Sequence, residues 1–233
     1  MLSLVEIRNK LQRRAIILEH AICEPGIKDP NWSWFGNVDL CLPGETWPTQ
    51  DDDFLSPLAQ INLTHFPFRP PHLQDVELLT VFINEFDLPS SDEANGKGWC
   101  LRAYRSISEL IPLKRPEALK SDLKAFPLQP AIVEADFPCH EDVEIDLPEE
   151  LDDNYPDHFK TVEGFKLGGW PYLIQSEIYW APWNKHPAKP EYVFQIDSCE
   201  KGQWQWGDGG VGYFGRGTAP GHENTWTMAW QCY

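Results

Sequence analysis

The chain has 233 residues, 42% of them hydrophobic and 13% aromatic, enough apolar material to bury a core as one large domain or two closely packed halves. Its 36 acidic residues against 19 basic ones give a formal net charge of -17 at pH 7 and a pI near 4.7. Such a surface repels nucleic acid and anionic membrane, and it speeds encounter with a basic partner.

At the N-terminus Ser3 and Glu6 form an S-x-x-E capping box, and Leu4, Ile7, Leu11, Ala15 and Leu18 follow at helical spacing. This pattern predicts an amphipathic helix over about residues 3 to 20. Glu6, Arg8 and Lys10 interrupt any apolar run there, so the segment reads as neither a signal peptide nor a membrane span, and the expected location is cytoplasmic. Pro25-Gly26 ends the region, and Pro30 keeps the chain extended toward Trp32, Trp34 and Phe35. Leu58 to Leu63 and Leu78 to Ile83 are short apolar runs bounded by proline or acidic loops, predicted as neighbouring strands, and Trp99 to Tyr104 as the next. From Ser106 to Leu128 the prolines at 112 and 116 allow only a short helix. Tyr192 to Ile196 and Val211 to Phe214 carry the strand signal again, and the alternation from Thr225 to Cys232 predicts a closing strand. Twenty-one prolines and sixteen glycines fall mostly between these runs. The expected fold class is therefore α+β, mostly antiparallel β with few helices.

One ordered set of residues recurs. Trp47 follows Gly36 by eleven residues, with Gln60-Ile61-Asn62 starting thirteen later; Trp180 follows Gly168 by twelve, with Gln195-Ile196-Asp197 starting fifteen later. The recurrence predicts an internal duplication, with pseudo-repeats at about 34–104 and 165–232 forming two intertwined halves of one domain over 1–233. Residues 130 to 160 lack a strong strand or helix period and form the expected acidic seam between the halves.

Few motifs point to catalysis. Gly207 to Gly212 matches G-x-G-x-x-G letter for letter, but strand signals lie on both sides of it, and a dinucleotide site needs a helix after the turn. Asp208-Gly209 reads instead as a hairpin turn. The seven histidines do not group, no H-E-x-x-H is present, and no G-x-S-x-G elbow occurs. His140 beside Glu141 and Asp142 is the one place where acid-base or metal chemistry is conceivable, and solvated side chains explain it better. Six scattered cysteines form no C-x-x-C pair and read as reduced core thiols. No catalytic residue, metal ligand or cofactor is assigned, and an enzyme is not expected.

The strongest chemical signal is charge. Between Glu134 and Asp157 the chain carries eleven carboxylates with no lysine or arginine among them: Glu134, Asp136, Glu141, Asp142, Glu144, Asp146, Glu149, Glu150, Asp152, Asp153 and Asp157. An acidic run of this kind is either a solvated loop or a docking surface for a basic protein. Val143, Ile145, Leu147 and Leu151 interleave the charges and provide packing or anchoring points. The tryptophans at 32, 34, 47, 170, 180, 183, 204 and 206 are core filler or interface anchors, a choice that sequence leaves open.

Phe35-Gly36, Leu42-Pro43, Trp47-Pro48 and Pro57 to Asn62, with Lys166 to Pro171 and Gln195 to Asp197, together resemble the YwqG-like family, a bacterial domain of unknown function. The resemblance runs from about Trp34 to Tyr213 and implies a mixed body of mostly antiparallel strands in two related halves. The chain departs from the family pattern at Asn37 and Asp39. The family supplies no catalytic residues to carry over. Some members look like immunity proteins that bind a toxin made beside them. With the acidic balance, this implies a cytoplasmic, monomeric protein that neutralises a basic nuclease toxin, such as a DNase of a type VI secretion system, by stoichiometric binding. The alternative is a housekeeping module that binds a small molecule or peptide in a cleft between the halves, with Gln60, Asn62, Gln195 and Asp197 facing it, although these side chains read more simply as groups that satisfy strand ends and turns in the core.

Overall fold

The computed structural model describes residues 2–21, 31–182 and 184–233. Cys23, Pro25-Gly26, Pro30 and Trp183 lie outside the described residues.

The capping box forms as the sequence predicts. Ser3 Oγ accepts from Glu6 N while Glu6 Oε2 accepts from Ser3 N, and helix α1 runs over Leu4–Leu11 with Ile7 and Leu11 buried. The helix is shorter than predicted, because Gln12 is extended (φ -64, ψ 129) and Arg13–His20 is a strand, β1. Ala15, Ile16 and Leu18 are buried in β1, which lies between two other strands. Side chains that sit at helical spacing thus serve a central strand, where β-branched residues pack well.

Nine further strands complete the main sheet: β2 Ser33–Phe35, β3 Ser56–Asn62, β4 Leu78–Ile83, β5 Trp99–Tyr104, β6 Phe126–Asp136, β7 Lys166–Gly168, β8 Pro190–Asp197, β9 Val211–Gly217 and β10 Trp226–Gln231. Each neighbouring pair is antiparallel, in the order β10-β9-β8-β7-β1-β6-β2-β3-β4-β5. The fold is mostly antiparallel β, with two further short helices, α2 Glu149–Asp153 and α3 Tyr155–His158. The strands predicted at 58–63, 78–83, 99–104, 192–196, 211–214 and 225–232 all fall in this sheet. Strand β6 is not predicted, because Pro127 and Pro130 mask its period; it is nonetheless the longest strand and lies at the centre. The expected seam at 130–160 therefore begins inside the sheet.

From its centre outward the sheet has the same order on both sides: β1-β7-β8-β9-β10 one way and β6-β2-β3-β4-β5 the other. The opening strand of each half lies against the second strand of the other, β1 on β7 and β6 on β2. Matching glutamines perform matching tasks. Gln60 Oε1 accepts from Leu40 N at 3.2 Å and its Nε2 donates to Trp32 O at 2.9 Å; Gln195 Oε1 accepts from Tyr172 N at 2.9 Å and its Nε2 donates to Gly164 O at 3.2 Å.

The sheet curls until it is nearly closed. The Trp99 ring of β5 meets Phe214 of β9 edge-on at 6.2 Å, and Trp230 Nε1 of β10 donates to Pro89 O at 2.9 Å. One apolar cluster fills the interior and joins Leu58, Ile61 and Val81 of the first half to Phe194, Ile196 and Met228 of the second. Arg216 of β9 forms a bidentate pair with Asp75 at 2.6 and 2.8 Å and donates to His72 O, so it clamps the loop after β3 onto the other half. The G-x-G-x-x-G stretch is a turn between the Cys199–Trp204 bridge and β9, with Gly207 and Gly209 at positive φ, as the turn reading predicts.

Candidate functional site

The acidic segment leaves the end of β6 and folds against α1. Val143, Ile145, Leu147 and Leu151 pack on a separate small core made by Ile7, Leu11, Phe137, Tyr155 and Phe159. Tyr155 stacks on Phe159 at 4.7 Å, and its hydroxyl donates to Pro138 O at 2.9 Å. Arg8 reaches across, donating to His158 O at 2.7 Å with its guanidinium over the Phe137 ring. The apolar residues interleaved with the charges thus hold the segment in place, and it is a platform rather than a solvated loop.

The eleven predicted carboxylates divide into distinct environments. Asp136 is wholly buried and is not available to a partner. Its Oδ2 accepts from Lys166 Nζ at 2.9 Å and Trp170 N at 2.7 Å, and its Oδ1 from Val162 N at 2.7 Å. Lys166 is equally buried, and burial holds its ammonium below the ordinary lysine range against the pull of Asp136. Glu134 is exposed and binds Arg14 through both oxygens, at 2.9 and 3.2 Å. Asp152 Oδ1 accepts from His140 Nε2 at 2.7 Å, and the His140 ring lies against Tyr155. Glu141, Glu144, Asp146, Glu149, Glu150, Asp153 and Asp157 are exposed and Asp142 is half-buried; none of these eight pairs with a lysine or arginine among the described residues.

Three of them also line a groove. Glu141, Asp142 and Glu144 face a depression of about 1120 Å³ at the junction of the acidic segment, β1, the loop after β3, and the chain following β7. Glu177 and Glu191 add two more carboxylates, and Phe68, Trp170 and Tyr192 supply aromatic surface. Burial, with Glu141 next in weight, holds the Asp142 carboxyl above its usual range while Arg13 opposes the shift. Arg13 lies flat on the Trp170 ring, its guanidinium carbon 3.3 Å from the centroid. Trp170 is fixed in turn by its Nε1, which donates to Leu11 O at 2.6 Å. Behind the groove, Gly169 at φ +68 lets the backbone turn past Asp136; a Cβ there would lie inside contact distance of Asp136 Oδ2 and 2.8 Å from Ala15 Cβ.

Sequence reasoning missed Glu177 and Glu191, because isolated acids carry no pattern and only folding brings them to the run at 141–144. The residues expected to face a cleft in the housekeeping alternative do not do so. Gln60, Asn62 and Gln195 are at most 1% exposed, and they hold backbone in place as described above. Asn62 donates to Asn31 O and accepts from Thr64 N, while Asp197 accepts from Gly164 N and from Gln195 Nε2. Asn37, where the sequence departs from its family pattern, donates to Asp39 at 2.8 Å, so the two departures close one loop together. Of the tryptophans, Trp47, Trp204 and Trp206 are buried, whereas Trp32, Trp34, Trp170 and Trp180 are half-buried. Among the described residues no group of three or more His, Cys, Asp or Glu side chains is placed to hold a metal ion, and no helix is long and apolar enough to cross a membrane.

The model of the family described as Domain of unknown function (DUF1963) matches residues 33–215. The chain belongs to this family. The matched span runs from β2 into β9 and takes in both clamp glutamines, the acidic segment and most of the groove's lining. No curated protein matches the chain.

Proposed function

We propose that this DUF1963 protein is an immunity protein, which binds a basic toxin in the cytoplasm and neutralises it one to one. The observation that carries this reading is the platform of exposed carboxylates from Glu141 to Asp157, which forms no ion pair with lysine or arginine among the described residues and is pinned to a hydrophobic core. Fixed, unneutralised charge meets a cationic surface with little ordering cost, and electrostatic steering of this kind lifts association to about 10⁸ M⁻¹s⁻¹ at low salt. The net charge of -17 acts in the same direction. The resemblance of the Phe35-Gly36, Lys166 to Pro171 and paired glutamine motifs to YwqG-like proteins, some of which look like immunity proteins, adds support. A nuclease toxin, such as a DNase delivered by a type VI secretion system, fits best, because its arginines and lysines grip phosphates and would be occupied or screened by carboxylates.

The test is a pull-down with the tagged protein from its native cell, washed at low and then high salt, with bound proteins identified by mass spectrometry. One basic nuclease in a stoichiometric band, released by salt more readily after Glu149, Glu150 and Asp153 are changed to amides, is the expected result. A partner bound equally at every salt concentration by the neutralised variant removes the electrostatic basis, and the absence of any basic partner under toxin-expressing conditions removes the reading itself.

A further inference from the structure

We infer that the groove between the acidic segment and β8 is the seat of an arginine-bearing loop of the bound protein. This inference rests on the reading above and says where on the molecule the partner's cations are received. Its first support is size. About 1120 Å³ exceeds the roughly 300–1,000 Å³ typical of small-molecule pockets, so the depression fits a stretch of chain better than a single small ligand.

The second support is the arrangement of charge. Five carboxylates line the groove against two arginines and one histidine. Arg14 is engaged by Glu134 outside the groove, and His72 pairs with Glu191 at 3.1 Å. Arg13 lies over Trp170 and forms no ion pair among the described residues, and it attracts Asp142, Glu191 and Glu144 across a gap. Glu141, Asp142, Glu144 and Glu177 form no ion pair among the described residues, and Arg13 is the one arginine that attracts this group from a distance.

The third support is shape and surface. A guanidinium is planar, takes two carboxylate oxygens at once, and stacks on aromatic faces. Trp170 already holds one guanidinium in that way, and Tyr192 and Phe68 extend the aromatic surface along the groove. Arginine fits these features better than lysine, whose ammonium is a strongly hydrated point charge. The groove is also built of parts that do not shift easily. Trp170 is tied through its ring to α1 and through its backbone to Asp136, and the His72 loop is clamped by Arg216.

The experiment uses the full chain and a short capped peptide carrying a pair of arginines among glycines and serines, with a citrulline peptide as the uncharged isostere. Binding is followed by two-dimensional NMR at near-physiological salt, with the Trp170 indole N–H as reporter. We expect the arginine peptide to move the Trp170 signal and the citrulline peptide to leave it in place. The Asp142→Asn, Glu144→Gln, Glu177→Gln triple variant should lower affinity about tenfold, while the Glu109→Gln, Glu117→Gln, Glu200→Gln triple, which removes the same charge at exposed positions away from the acidic segment, should change it by less than about twofold. Equal weakening by the two triples reduces the effect to a general negative field and overturns the assignment. So does equal binding of the citrulline peptide, or a titration that leaves Trp170 unmoved. The two inferences fail separately. If the native partner is captured as well by the groove triple as by the wild type, the groove is wrong and the immunity reading stands; if the wild type captures no basic protein, that reading falls whatever the peptide does.

Discussion

Replacing Lys166 by methionine probes the buried pair that anchors the groove. Both Lys166 and Asp136 are wholly removed from solvent, and their 2.9 Å contact is the Asp136 carboxylate's only cationic partner among the described residues. Removing one member of a buried pair costs about 3–5 kcal/mol, because the remaining charge stays desolvated. Asp136 keeps two backbone donors at 2.7 Å, from Val162 and Trp170, so the lower end, about 3 kcal/mol, is expected. For a chain of this length that corresponds to a fall in melting temperature of roughly 6–12 °C. Urea unfolding followed by tryptophan fluorescence should show that loss. A loss below about 1 kcal/mol is what a solvated surface pair gives and would refute the argument.

Three further changes test other parts of the molecule. Burial, opposed by bonds from Gly164 N and Gln195, raises the Asp197 carboxyl from 3.8 to about 6. The stability linked to its proton is thus complete below about pH 4 and is lost, on the order of 3 kcal/mol, as pH rises through about 6; denaturation midpoints of Asp197→Asn relative to the wild type should shift across that window and be flat above it. Gly169→Ala puts a side chain at φ +68 against Asp136 and Ala15, and a thermal melt should show a loss of about 3 kcal/mol, whereas a loss under about 1 kcal/mol means that the loop moves aside freely. Gln60→Leu and Gln195→Leu each strand buried backbone groups, at Leu40 and Trp32 in one half and at Tyr172 and Gly164 in the other. Similar losses of about 2–4 kcal/mol in chemical denaturation would show that the two clamps are energetically as well as geometrically equivalent.

The sequence by itself determined the parts of this protein that rest on local physics. A capping box needs only Ser3 and Glu6 three residues apart, and α1 starts where they predict. The apolar runs of β3, β4, β5, β8, β9 and β10 are bounded by prolines, glycines and acids, and chain and sheet agree on them. The paired glutamines mark the correspondence between the halves, for which an internal duplication is our reading. The acidic run at 134–157 is also plain in the sequence, because charge is a property of composition. Where two periods compete, local physics fails: Ala15 and Leu18 fit a helix and a central strand equally, and only pairing with β6 and β7 decides for the strand. The prolines of β6 hide a strand whose existence depends on neighbours about 90 or more residues away in the chain.

Tertiary structure alone separated carboxylates that look alike in the run. Asp136 and Asp142 are six residues apart, yet one closes a buried ion pair and the other faces a groove. The difference comes from what each meets after folding, Lys166 in one case and open depression in the other. The groove itself joins Glu141 to Glu144 with Glu177 and Glu191, and no local pattern links those segments. Burial and the meeting of distant charges are fixed by the packing of the whole sheet, so they appear only when the chain is folded.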